Sequence, residues 1–71
     1  MHVTDRMRAE RALMYLEEQL KDELDSIEKL EGIALTPIII LRNKKRILIA
    51  EIEQAIRNIR DEINMAEGLG A

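Results

Sequence analysis

The densest run of like charge in the chain is Arg42-Asn43-Lys44-Lys45-Arg46. On a helix, Arg42, Arg46, Arg57 and Arg60 would fall along one edge, interrupted by Glu53. Arg42, Lys44, Arg46, Arg57 and Arg60 are therefore candidate contacts for a polyanion, since a face that tracks phosphates is built from such side chains. Three features argue against nucleic acid as the first reading. The net charge is −3, the only aromatic available for stacking is Tyr15, and no helix-turn-helix spacing is present. The other role for the cluster is to complement acids elsewhere in the chain.

Acids are plentiful, and they occur in pairs such as Glu17-Glu18 and Asp22-Glu23. Di-iron bundles hold their metals with glutamates and a Glu-x-x-His pair, and no such pair occurs. The single histidine is His2 and there is no cysteine, which leaves no thiolate site, no disulfide and no histidine-based triad within one subunit. The three glycines, at 32, 68 and 70, make no phosphate-cradling loop. The expectation is a protein that is not an enzyme and carries no cofactor and no metal.

The elements that position these charges follow from apolar spacing. The chain has 71 residues, 46% of them hydrophobic and 35% charged, with eleven isoleucines and nine leucines. That is too apolar for a disordered chain. It suits one small domain spanning 1–71. Leu13, Leu16, Leu20, Leu24, Ile27 and Leu30 recur at three- and four-residue intervals among strong helix formers, which predicts a helix over about 5–31. Thr4 or Asp5 would cap its start, and Gly32 would end it in the left-handed conformation. After a turn at 32–36, Thr36-Pro37 reads as a cap followed by proline at the first helical position. From there Ile38, Leu41, Leu48, Ile52, Ala55, Ile59 and Ala66 form a stripe joined by Ile49, Ile56 and Ile63, giving a helix over about 37–67 and a frayed tail at 68–71.

Residues 38–50 allow a second reading. Two β-branched runs flank a polar tetrad, as in a β-hairpin turning at Asn43-Lys44. The tetrad lacks the glycine that tight turns favour, and a lone hairpin is marginal in water, so helix is preferred.

The fold class expected is therefore all-α, an antiparallel helical hairpin. With the turn centred near residue 34, Leu30 meets Ile38, Ile27 meets Leu41, Leu20 meets Leu48, Leu16 meets Ile52 and Leu13 meets Ala55. Residues 17–31, with seven acids and two lysines, lie beside the basic cluster, and Lys45 faces Glu23. At the open end Arg6, Arg8 and Arg11 lie near Asp61, Glu62 and Glu67.

Two helices bury one stripe each, and ordering this chain costs on the order of 100 kcal/mol. One seam does not offset that cost. The leftover apolar residues point to association. Ile40 and Ile47 sit away from the main stripe one heptad apart, and Val3, Met7 and Met14 make a similar face on the first helix. Met7, Met14, Ile40, Ile47, Ile49, Ile56 and Ile63 are the candidate oligomer or partner interface. A homo-oligomer, most simply a dimer forming a four-helix bundle or coiled coil, is the expected partner state, with another protein as the alternative. The longest apolar stretch, 33–41, is about half the ~20 residues that a membrane span needs, and no apolar run follows the arginines near the start. A cytoplasmic protein acting by protein–protein contact, as regulator, adaptor or assembly subunit, is the functional expectation. A small nucleic-acid-binding dimer is its alternative.

Overall fold

A computed structural model describes the backbone of residues 3–70 and the side chains of 5–66. Two helices, α1 (Val3–Leu30) and α2 (Thr36–Gly70), pack against each other as an antiparallel hairpin. The pair measures 53 × 15 × 13 Å. Its long axis is the length of α2 itself, since 35 residues at 1.5 Å each give about 52 Å. No strand occurs among the described residues, so the β-hairpin reading of 38–50 falls. Burial of one side of this segment against α1 outweighs the strand preference of its isoleucines, which is a weak and context-dependent one.

The turn forms where glycine permits it. Gly32 has φ +79°, the left-handed region expected of it. The Glu31 amide donates to the Glu28 carbonyl at 3.3 Å, tightening the last turn of α1, and the Ile33 amide donates to Leu30 at 3.4 Å. A Cβ at position 32 would meet nothing within 4 Å, so a substitution there carries backbone strain alone. Gly32→Ala is expected to destabilise the hairpin by about 1–2 kcal/mol. A thermal melt indistinguishable from wild type would show that the turn does not depend on this conformation.

The helix ends differ from expectation in small ways. α1 begins at Val3, so Thr4 and Asp5 lie inside the first turn and neither is the cap. Asp5 there complements the positive end of the helix dipole. For α2, the amides of Ile38 and Ile39 both donate to the Leu35 carbonyl at 2.9 Å. Leu35 is therefore the capping position and Pro37 the second helical residue, where a missing N–H still costs nothing. α2 continues through Gly68 to Gly70 rather than closing at Glu67-Gly68. Glycine lowers helix propensity by about 1 kcal/mol without forbidding the helix. Of the expected frayed tail, Ala71 lies outside the described residues.

The seam is rotated from the expected stripe. On α1 the half-buried positions include Ala9, Leu13, Leu16, Leu20, Glu23, Ile27 and Leu30; on α2 a line of less exposed residues runs through Ile38, Arg42, Lys45, Ile49, Ile52, Ile56, Ile59, Ile63 and Ala66, with Ala55 half-buried beside it. Both sets alternate spacings of four and three, the pattern of coiled-coil seams. Among the described residues only Ile49, Ile52 and Ile56, at 5–8% exposure, count as core. Leu24, Leu41 and Leu48 lie on exposed flanks, so the expected Ile27–Leu41 and Leu20–Leu48 pairs give way. Leu20 instead shares a groove with Ile56. A stripe read from apolar residues alone drifts onto the leucines because three seam positions (Glu23, Arg42 and Lys45) are charged.

Candidate interaction surface

The basic cluster is taken apart by the helix it sits on. Arg42 turns toward the end of α1, where its Nη1 donates to the Leu30 carbonyl at 2.8 Å and to the Ile33 carbonyl at 3.4 Å. A guanidinium at this place bonds carbonyls at the end of α1 and in the turn beyond it, outside the helical ladder, and its charge complements the negative end of the α1 dipole. Its Nε is buried without a hydrogen-bond partner. Lys45 reaches across the seam to Glu23, Nζ to Oε2 at 3.0 Å, as the expected register requires. Both side chains of this pair are about four-fifths covered.

Lys44 and Arg46 remain, and two residues along a helix turn them about 200° apart. They point to opposite sides of α2. Neither carries an ion pair or hydrogen bond among the described residues. Further along, Arg60 bonds Glu17 at 2.6 Å and Arg57 donates to Gln54 at 2.9 Å. Gln54 donates in turn to Asn58. Of the five candidate polyanion contacts, three are thus engaged within the chain and the other two are split between faces. Arg42 is expected to stand apart in mutagenesis. Arg42→Ala should cost about 1.5–3 kcal/mol, the range for hydrogen bonds to a charged group, whereas exposed Lys44→Ala and Arg46→Ala should fall within about 0.5 kcal/mol in the folding of a single hairpin. Chemical denaturation of the three variants under non-associating conditions checks the ranking.

Glu17 marks a departure from the expected pairing. The assumed register set it near Glu51, a like charge, whereas its partner is Arg60, nine residues further along α2. At the open end Arg6 bonds Glu10 on its own helix at 3.1 Å. No ion pair joins Arg8 or Arg11 to Asp61 or Glu62 among the described residues, and the Glu67 side chain lies outside them. Exposed pairs of this kind are worth about 0–1 kcal/mol each, so they tune the hairpin more than they hold it.

The seven candidate interface residues separate into two groups. Ile49 and Ile56 are buried in the seam, and Ile63 is half-buried on the same line. Their seven-residue spacing belongs to the contact with α1. Met7, Met14, Ile40 and Ile47 are exposed, Ile40 at 51% and Ile47 at 62%. The Val3 side chain lies outside the described residues. Leu41 and Leu48, which the apolar stripe had placed inside, are exposed as well, on the flank of α2 next to Ile40 and Ile47. The recesses along the hairpin are shallow and open. The one of about 390 Å³ has Leu20, Leu24 and Ile56 as its apolar part and Glu17, Glu53, Arg57 and Arg60 as its charged part. Among the described residues no group of three or more acids or histidines is placed to hold a metal ion, and no helix is long and apolar enough to cross a membrane.

Comparison with protein-family models, with characterised proteins and with solved structures gives no match. The functional reading therefore rests on the surface itself.

Proposed function

We propose that this hairpin is a self-associating helical module that acts through protein–protein contact, as a regulator, adaptor or assembly subunit, and not through catalysis. The observation that carries the reading is the amount of surface left uncovered. The chain exposes 5576 Å², against roughly 4,500 Å² for a compact monomer of 8.2 kDa. Its radius of gyration is 16.2 Å, where a compact chain of this length has about 11 Å. The excess, about 1,000 Å², is of the size that each partner contributes to a specific interface, about 800 Å².

Core size supports the same reading. Among the described residues three isoleucines are buried, and no side chain is fully enclosed. Small domains with such sparse cores commonly gain the missing burial by oligomerisation. A dimer that completes a four-helix bundle is the simplest such assembly. Sedimentation of the protein alone and with duplex or single-stranded nucleic acid tests the proposal. A species heavier than 8.2 kDa that does not move with nucleic acid is expected. A monomer that binds nucleic acid with a steep salt dependence would replace this reading with the nucleic-acid one.

A further inference from the structure

We infer that the outer face of α2 is the surface on which a second copy of this chain docks, antiparallel, with the crossing centred between Ile47 and Leu48. This rests on the self-association proposed above and names its interface. Ile40, Leu41, Ile47 and Leu48 are all exposed, Ile40 and Ile47 on the side of α2 away from the seam and Leu41 and Leu48 on the adjoining flank. Lys44 stands in the middle of these four. Its neighbours three and four residues away are Ile40, Leu41, Ile47 and Leu48 themselves, so it has no acid within reach on its own helix. Glu51 lies one heptad beyond on the same stripe, and its neighbours at those spacings are Ile47, Leu48, Gln54 and Ala55. Neither charge has a partner among the described residues.

Two opposite charges, each without a local partner and equally far from a common centre, are what a two-fold interface needs. In an isologous contact residue i meets j and j meets i. An antiparallel crossing at 47/48 sets Lys44 opposite Glu51 of the second copy, and Glu51 opposite its Lys44. It also sets Ile47 beside Leu48 and Ile40 beside the small Ala55, which lets the backbones approach. A parallel pair would oppose lysine to lysine and glutamate to glutamate. Beyond Glu51 the stripe turns polar at Gln54 and Asn58, which bond each other, so the apolar contact ends there. The excess surface of the chain as a whole is of the size one partner contributes to a standard interface, and the charges select the copy and its direction.

Charge reversal at the two positions tests this. Lys44→Glu alone and Glu51→Lys alone each place like charges opposite one another twice, and each is expected to raise the dimer dissociation constant at least about tenfold. The doubly reversed chain is expected to associate within about threefold of wild type. The sharpest arm mixes the two single variants. Each is weakened alone, but a Lys44→Glu chain and a Glu51→Lys chain complement each other at both pairs, so the mixture is expected to form a heterodimer by sedimentation or native mass spectrometry. Circular dichroism of every variant confirms that the helices are intact, both substitutions introducing good helix formers. A wild-type protein that associates while the single variants do so equally well would overturn this interface and leave self-association standing. So would a mixture with no gain over its components. A wild-type chain that sediments as a monomer would overturn the self-association reading itself.

Discussion

Replacing Ile56 by alanine is expected to lower the melting temperature of the protein by at least about 10 °C. Ile56 is one of three buried residues among those described, and it lines one recess along the seam with Leu20 and Leu24. Truncating a buried isoleucine costs about 2–5 kcal/mol, part of it lost transfer energy and part the cavity left behind. A chain whose core is three isoleucines has few neighbours able to close that cavity. Each kcal/mol is worth roughly 4–8 °C in a domain of this size. Ile52→Ala should behave alike. The helical signal should decay over the same temperature range as any tertiary probe, because neither helix has another partner within the chain to hold it. A melt within a degree or two of wild type for both variants would mean that the seam does not run through these positions.

The second large effect is expected at residues that lie outside the seam, Ile40 and Ile47, 51% and 62% exposed. Ile40→Glu and Ile47→Glu, combined in one chain, should abolish association and lower thermal stability together. In an isolated hairpin the same substitutions would be close to neutral, since surface changes away from caps and cores usually fall within about 0.5 kcal/mol. In an assembly they put charges into the apolar centre of the contact, where burial without partners costs several kcal/mol. Equal stability of variant and wild type across concentrations would remove this face from the account.

Much of the architecture was readable in the residues. Gly32 and the Thr36-Pro37 pair bracket the reversal because both act through local backbone geometry, which sequence encodes directly. Lys45 facing Glu23 followed from the register and is found at 3.0 Å. The rotation of the seam was less accessible. Apolar spacing alone favours Leu24, Leu41 and Leu48, whereas the seam admits Glu23, Arg42 and Lys45 at the strict four-three positions. Counting charged residues at those spacings would have revealed it, because long side chains can line a seam with their stems and carry their charge to its edge.

Arg42 shows the limit in another way. Within the basic run it reads as one of several phosphate-seeking cations, yet its guanidinium closes the end of α1. That role depends on which carbonyls the turn leaves open, a tertiary fact that no local motif announces. Ile49 and Ile56 were likewise recognisable as a heptad series, but the spacing alone did not say whether α1 or a second copy would cover them.

If one hairpin is an incomplete fold finished by association, as proposed, its melting temperature must depend on protein concentration. Mass action ties the stability of an obligate dimer to its concentration, and each tenfold increase favours the assembly by about 1.4 kcal/mol. Spread over the unfolding entropy of two such chains, this gives an expected rise of about 5 °C per decade of concentration. A melting temperature constant over three decades, in a protein that sediments as a monomer throughout, would contradict it.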